Sequence, residues 1–91
     1  MLIKFPITIK IIYEPAAKDA SYVAYIPEFD ISSCGKTEEK AKQNVKEALE
    51  LTLEEVKKQN KLEEFLKEAG ISNQKQSFFP KISFEPFVFQ A

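Results

Sequence analysis

Histidine, arginine and tryptophan are missing from this sequence, cysteine occurs once, at Cys34, and glycine only twice, at Gly35 and Gly70. Each absence removes a class of chemistry. Without histidine there is no Ser-His-Asp or Cys-His nucleophile system. The usual nitrogen ligand for zinc or iron is gone too, and one thiol cannot build a thiolate cage. Two isolated glycines make no phosphate-cradling loop. All thirteen basic residues are lysine. The planar guanidinium fork that best reads base edges and phosphates is therefore missing, which argues against a dedicated nucleic-acid surface. A lone thiol forms no internal disulfide, which fits a reducing compartment. No stretch approaches the roughly 20 apolar residues of a membrane span. At the start, MLIKFPITIKIIYEP, the apolar residues are broken by Lys4, Pro6, Thr8 and Lys10, unlike the continuous core of a signal peptide. A cytoplasmic location is the resulting expectation.

What is present is ordinary for a small globular chain: 91 residues, 44% of them hydrophobic and 30% charged, with a net charge of −1. That length fits one domain, residues 1–91, with no room for a separate DNA-binding domain. A core this small often gains from oligomerisation.

Residues 7 to 14 predict a strand, with Ile7, Ile9, Ile11 and Tyr13 on one face and Thr8, Lys10 and Ile12 on the other. Pro6 offers no N–H, so pairing is expected to begin after it. A turn at 14–19 leads to a second strand over 21–27, and the two form an antiparallel hairpin. A short third strand follows near Ile31–Cys34, and Gly35 turns the chain. Thr37 is an N-cap, with Glu38 and Glu39 at the positive end of the helix dipole. Ala41, Val45, Ala48, Leu49, Thr52 and Val56 make the apolar stripe of that helix, and Lys42, Lys46, Glu50, Glu54 and Lys57 its solvated face. The helix loosens at Gln59-Asn60. A shorter helical run holds Leu62, Phe65, Leu66 and Ala69, with Gly70 as a left-handed cap and Ile71 as its apolar contact. Residues 72–77 read as a loop that Phe78-Phe79-Pro80 anchors. In the last strand, 81–89, Ile82 and Phe84 have one parity and Phe87 and Phe89 the other, which predicts a bulge at Glu85-Pro86.

The pattern is thus an α+β fold in the order β-β-β-α-α-β, a small antiparallel-rich sheet with the helices on one face. Two kinds of reactive group remain. Cys34 reads as a small buried strand residue. Asp19, Glu28, Asp30 and the helix glutamates are the carboxylates that a magnesium site would need, and they read more simply as solvated turn and helix residues. No catalytic residue, metal ligand or cofactor is expected.

The segment YVAYIPEFDISSCGKTEEKAKQNVKEALEL, Tyr22 to Leu51, carries more than generic patterning. Tyr22-Val23-Ala24-Tyr25-Ile26-Pro27-Glu28-Phe29 is a strand ending in Pro-acidic-apolar. Gly35-Lys36-Thr37-Glu38-Glu39-Lys40-Ala41 is a turn and helix start, continued by Asn44, Val45, Ala48 and Leu49. The segment resembles the HicB-like family of antitoxins from type II toxin–antitoxin systems. Lys36 stands where the family has an acidic residue, and Asp30–Cys34 departs from its common Pro-Gly-Cys form. The resemblance implies a truncated ribonuclease-H-like fold without the nuclease carboxylates. It also implies a partner, a HicA-like toxin with a double-stranded-RNA-binding fold that cleaves mRNA and whose active face the antitoxin covers.

Such a toxin presents a basic face, so Glu28, Asp30 and Glu85 are the candidate acidic contacts, and Phe87 and Phe89 the candidate aromatic anchors. The simpler role for these two phenylalanines is core packing or a homodimer contact. A terminal apolar strand can pair with the same edge of a second copy, so a homodimer is expected. Direct nucleic-acid or membrane binding is not. A divergent metal-dependent nuclease and an orphan protein-binding module are the alternatives.

Overall fold

The structure, a computed structural model, describes residues 2–70 and 81–91. Six elements follow one another: β1 (Leu2–Tyr13), β2 (Tyr22–Ile26), β3 (Ile31–Gly35), α1 (Glu38–Lys58), α2 (Leu62–Gly70) and β4 (Lys81–Gln90). The strands form one antiparallel sheet in the order β3-β2-β1-β4. The element order and the α+β class are those expected from the sequence. The expectations for Ile71, residues 72–77 and Phe78-Phe79-Pro80 lie outside the described residues.

Strand alternation sorts the side chains. Ile7, Ile9 and Ile11 of β1, Ala24 and Ile26 of β2, and Phe87 and Phe89 of β4 share one face and are buried. Helix α1 covers them with Ala41, Val45, Leu49 and Leu53, a row at four-residue spacing with no exposed surface. Leu53, absent from the expected stripe, is the last member of that row. The opposite face of the sheet has no helix on it among the described residues.

The first strand is longer than expected, because Pro6 does not delay pairing. It stands opposite Pro86 in an unbroken register from Leu2↔Gln90 to Ile11↔Lys81. The reason is directional. Thr8, two residues on, faces Phe84 but turns its N–H away from β4, towards Glu28. Pro6 has the same orientation, and Pro86 turns its nitrogen to the free edge, so neither proline removes a ladder bond. The same continuity corrects the expected bulge at Glu85-Pro86: β4 keeps its register and presents two different faces.

The helices end as their sequences direct. The Thr37 hydroxyl accepts the Lys40 N–H at 3.0 Å, which caps α1. Asn60, at φ 60°, ends it; the Lys61 N–H bonds to the Val56 carbonyl at 3.1 Å and the Asn60 N–H to that of Lys57 at 3.0 Å, a Schellman cap. Gly70 is itself the last helical residue of α2, rather than the left-handed residue beyond it. Gly35 serves close approach. A β-carbon there would sit 2.7 Å from the Ala41 nitrogen and 2.8 Å from Lys40 Cβ, so only glycine lets the start of α1 rest on β3. Cys34, expected to be buried, is exposed, since its parity on β3 is that of the uncovered face.

Candidate partner-binding site

Pro27 stops β2, and the chain turns through residues 27–30. The Phe29 N–H bonds to the Ile26 carbonyl and the Asp30 N–H to that of Pro27, both at 3.3 Å. Asp30 takes the left-handed conformation, φ 55°, which aspartate tolerates better than most residues. Its carboxylate accepts the Tyr25 hydroxyl at 2.8 Å. That hydrogen bond, with partial burial and the nearby negative charge, raises the Tyr25 pKa above its ordinary 10.0.

Glu28 points back into the sheet. Its two carboxylate oxygens accept the Thr8 N–H at 3.0 and 3.1 Å, and one also accepts the Thr8 hydroxyl at 2.7 Å. Continued by two residues, the β1–β2 register would place Pro27 opposite Thr8. The chain has already turned there, and the carboxylate replaces the missing carbonyl acceptor. Thr8 is only 3% exposed, so this is a buried donor satisfied by an ionisable side chain.

On the helix side of the turn, Phe29 lies between Phe5 and Phe65, with ring centroids 5.8 and 5.4 Å away. Phe5 in turn touches Phe87 at 5.7 Å. This aromatic row docks α2 against the end of the sheet. A hollow of about 230 Å³ opens between the turn and α2, walled by Pro27, Phe29 and Phe65 and rimmed by Glu28, Asp30 and Glu68. A second hollow, about 160 Å³, shares Phe65 and Glu68 and adds Glu64 and Lys61. Asp30, Glu64 and Glu68 are exposed. Phe29 and Phe65 are half-buried, so aromatic surface is open among carboxylates.

The other residues expected at a partner site are elsewhere. Glu85 lies on the helix face of β4 and pairs with Lys42 at 3.4 Å and with Lys46. Burial alone would raise its pKa, but the two lysines outweigh that and hold it below the ordinary 4.5. Lys42 and Lys46 are therefore half-buried and not fully solvated, whereas Lys57 is exposed as expected, with its ammonium 5.9 Å from the Phe89 ring centre and 3.3 Å from the Gln90 carbonyl. Phe87 and Phe89 are 7% and 1% exposed and cannot act as surface anchors, because their parity turns them under α1. Among the described side chains of β4, the large exposed apolar ones are Phe84 and Val88. Asp19 lies in the loop between β1 and β2, at the far end of β2 from the 27–30 turn. Among the described residues no three His, Cys, Asp or Glu side chains converge to hold a metal ion.

No family model, no curated protein and no solved structure matches this chain. No described helix is long and apolar enough to cross a membrane. The site therefore rests on geometry alone. Of the residues singled out from the sequence, Glu28 and Asp30 lie at the first hollow, Glu28 with its carboxylate turned to Thr8; Glu64 and Glu68 were not singled out as contacts. Phe65 was read as packing only. The one available signal was that Glu64 and Glu68 stand four residues apart on a short helix, flanking Phe65.

Proposed function

We propose that this chain is an antitoxin-type binding protein that neutralises a small, basic, HicA-like toxin in the cytoplasm by covering the face with which the toxin grips mRNA. The observation that carries the reading is the pair of aromatic hollows around Phe65, rimmed by Asp30, Glu64 and Glu68. Cationic side chains have aromatic rings to pack on and carboxylates to pair with there. The β-β-β-α-α-β order supports a truncated ribonuclease-H-like fold. So do the roles of the family-like residues: Pro27 ends β2, Glu28 fastens the turn, Gly35 admits α1 and Thr37 caps it. The contacts of Glu28 with Thr8 and of Asp30 with Tyr25 weigh against the nuclease alternative, because those oxygens already have hydrogen-bond donors.

The test uses the small basic protein encoded beside this gene and a labelled RNA. Wild-type chain is expected to stop RNA cleavage by that protein. A Glu64→Lys/Glu68→Lys double variant, altered only at exposed positions, should bind about ten-fold or more weakly, with a flatter salt dependence. Undiminished cleavage at saturating wild-type chain would overturn the antitoxin reading. Equal inhibition by the double variant would move the site elsewhere. RNA cleavage by this chain with magnesium alone would favour the nuclease.

A further inference from the structure

The sheet face turned away from the helices is apolar and open. Phe84 is 77% exposed, Val88 48% and Ile12 45%, and Pro6 and Pro86 stand between Phe84 and Val88 as an exposed cross-strand pair. A soluble monomer seldom leaves such a patch uncovered. Beside Phe84 lies an apolar hollow of about 300 Å³ bounded by Lys4, Pro6 and Pro86. A protruding ring and a cavity able to receive one thus sit side by side on the same face.

We propose that this face docks a second copy of the chain about a two-fold axis, each Phe84 entering the hollow beside Pro6 and Pro86 of the other. A two-fold interface requires a self-complementary patch, and adjacent knob and hole supply one. The β1–β4 ladder runs ten residue pairs along this face in a molecule of 40 × 25 × 19 Å, the scale of the roughly 800 Å² per partner of a standard interface. Charge on this face is mixed: Lys4 and Lys10 stand on its strand positions, and Glu28 and Asp30 bring carboxylates to the hydroxyls of Thr8 and Tyr25. The Pro6–Phe84–Pro86 strip between them is apolar, which suits a second copy of the same strip better than a partner of one charge sign. The lysines flank the Pro6–Phe84–Pro86 centre, the polar-rim arrangement of protein interfaces. Pairing through the free edge of β4 is the poorer alternative, because Pro86 places a residue without an N–H in the middle of that edge.

The experiment is sedimentation of the full chain at about 100 µM, above the micromolar dissociation constants of the weakest interfaces of this size. Twice the 10.4 kDa chain mass is expected. Phe84→Glu should sediment as a monomer with an unchanged far-UV spectrum, and Leu51→Glu, at an exposed residue of α1, should remain dimeric. A monomeric wild type overturns the proposal. So does a dimer that survives both Phe84→Glu and Val88→Glu, since its contact would lie on another surface.

Discussion

Glu28 has the composition of a surface contact and the environment of a core polar group. Its carboxylate closes the one place where β1 outruns β2 and satisfies both donors of a buried threonine. Removing it leaves the Thr8 N–H and hydroxyl without their acceptor, and a buried unsatisfied donor costs about 1–3 kcal/mol. Glu28→Ala should therefore lower urea-unfolding stability by about that amount with an unchanged m-value, and Glu28→Gln, which keeps one oxygen, by less. An alanine variant as stable as wild type would mean that Thr8 finds water instead. The sequence marks Glu28 as belonging to a family-like motif but cannot reveal its partner, because Thr8 is twenty residues away and the contact depends on how far β2 falls short of β1. Gly35 was legible as a turn, while its actual constraint, a steric one set by Ala41 and Lys40, required the docked helix. Phe87 and Phe89 had the right parity difference from Phe84, but parity alone does not say which set faces the helices.

Element by element, α1 is held to the sheet unequally. Its apolar row rests on the core, while Lys42, Lys46 and Lys57 reach sideways to β4. The periodicity that predicted α1 also placed these lysines on a solvated face; Lys57 is exposed, while Lys42 and Lys46 are half-buried because β4, beyond β1 in the sheet, brings Glu85 to the helix flank. Glu85 is the anchor on the strand side, and its pKa is lowered below 4.5. A depressed carboxylate contributes stability that is present above its unfolded pKa and is lost as pH falls through the folded one. Wild type should exceed Glu85→Gln in stability by about 0.5–1 kcal/mol near neutral pH, the upper range for a partly exposed pair. The gap should hold constant down to about pH 5 and close below the ordinary carboxylate value. Parallel denaturation curves of the two proteins from pH 7 to pH 3 measure it. A gap that widens on acidification would contradict the pairing. The β1–β2–β3 meander and both helices were visible in the sequence because alternation and helical spacing are local signals. The register of β4 was not, since its partner β1 lies at the other end of the chain.

That long-range pairing governs the molecule as a whole. β1 and β2 are the inner strands of the sheet, and the ten-residue ladder of β1 with β4 pairs residues 2–11 with residues 81–90. Closing so large a loop must precede the gain from the ladder, so the β1–β4 junction should form late and limit the folding rate. Once formed it brings the most buried residues into one core cluster: Ile7, Ile9 and Ile11 of β1 share it with Phe87 and Phe89 of β4. Helix α2 is attached differently, with no fully buried side chain among its described residues and Phe65 as its aromatic contact. Amides in elements with few buried contacts open locally, while those in the core exchange only on global unfolding. Native-state hydrogen exchange should therefore find the Ile7, Ile9 and Ile11 amides at the global unfolding free energy and the α2 amides well below it. The turn at 27–30 should fall between them, since Glu28 ties it to β1. If α2 proved as protected as β1, the aromatic row would be part of the cooperative core, and the hollows beside Phe65 would be rigid walls instead of surfaces able to adjust to a partner.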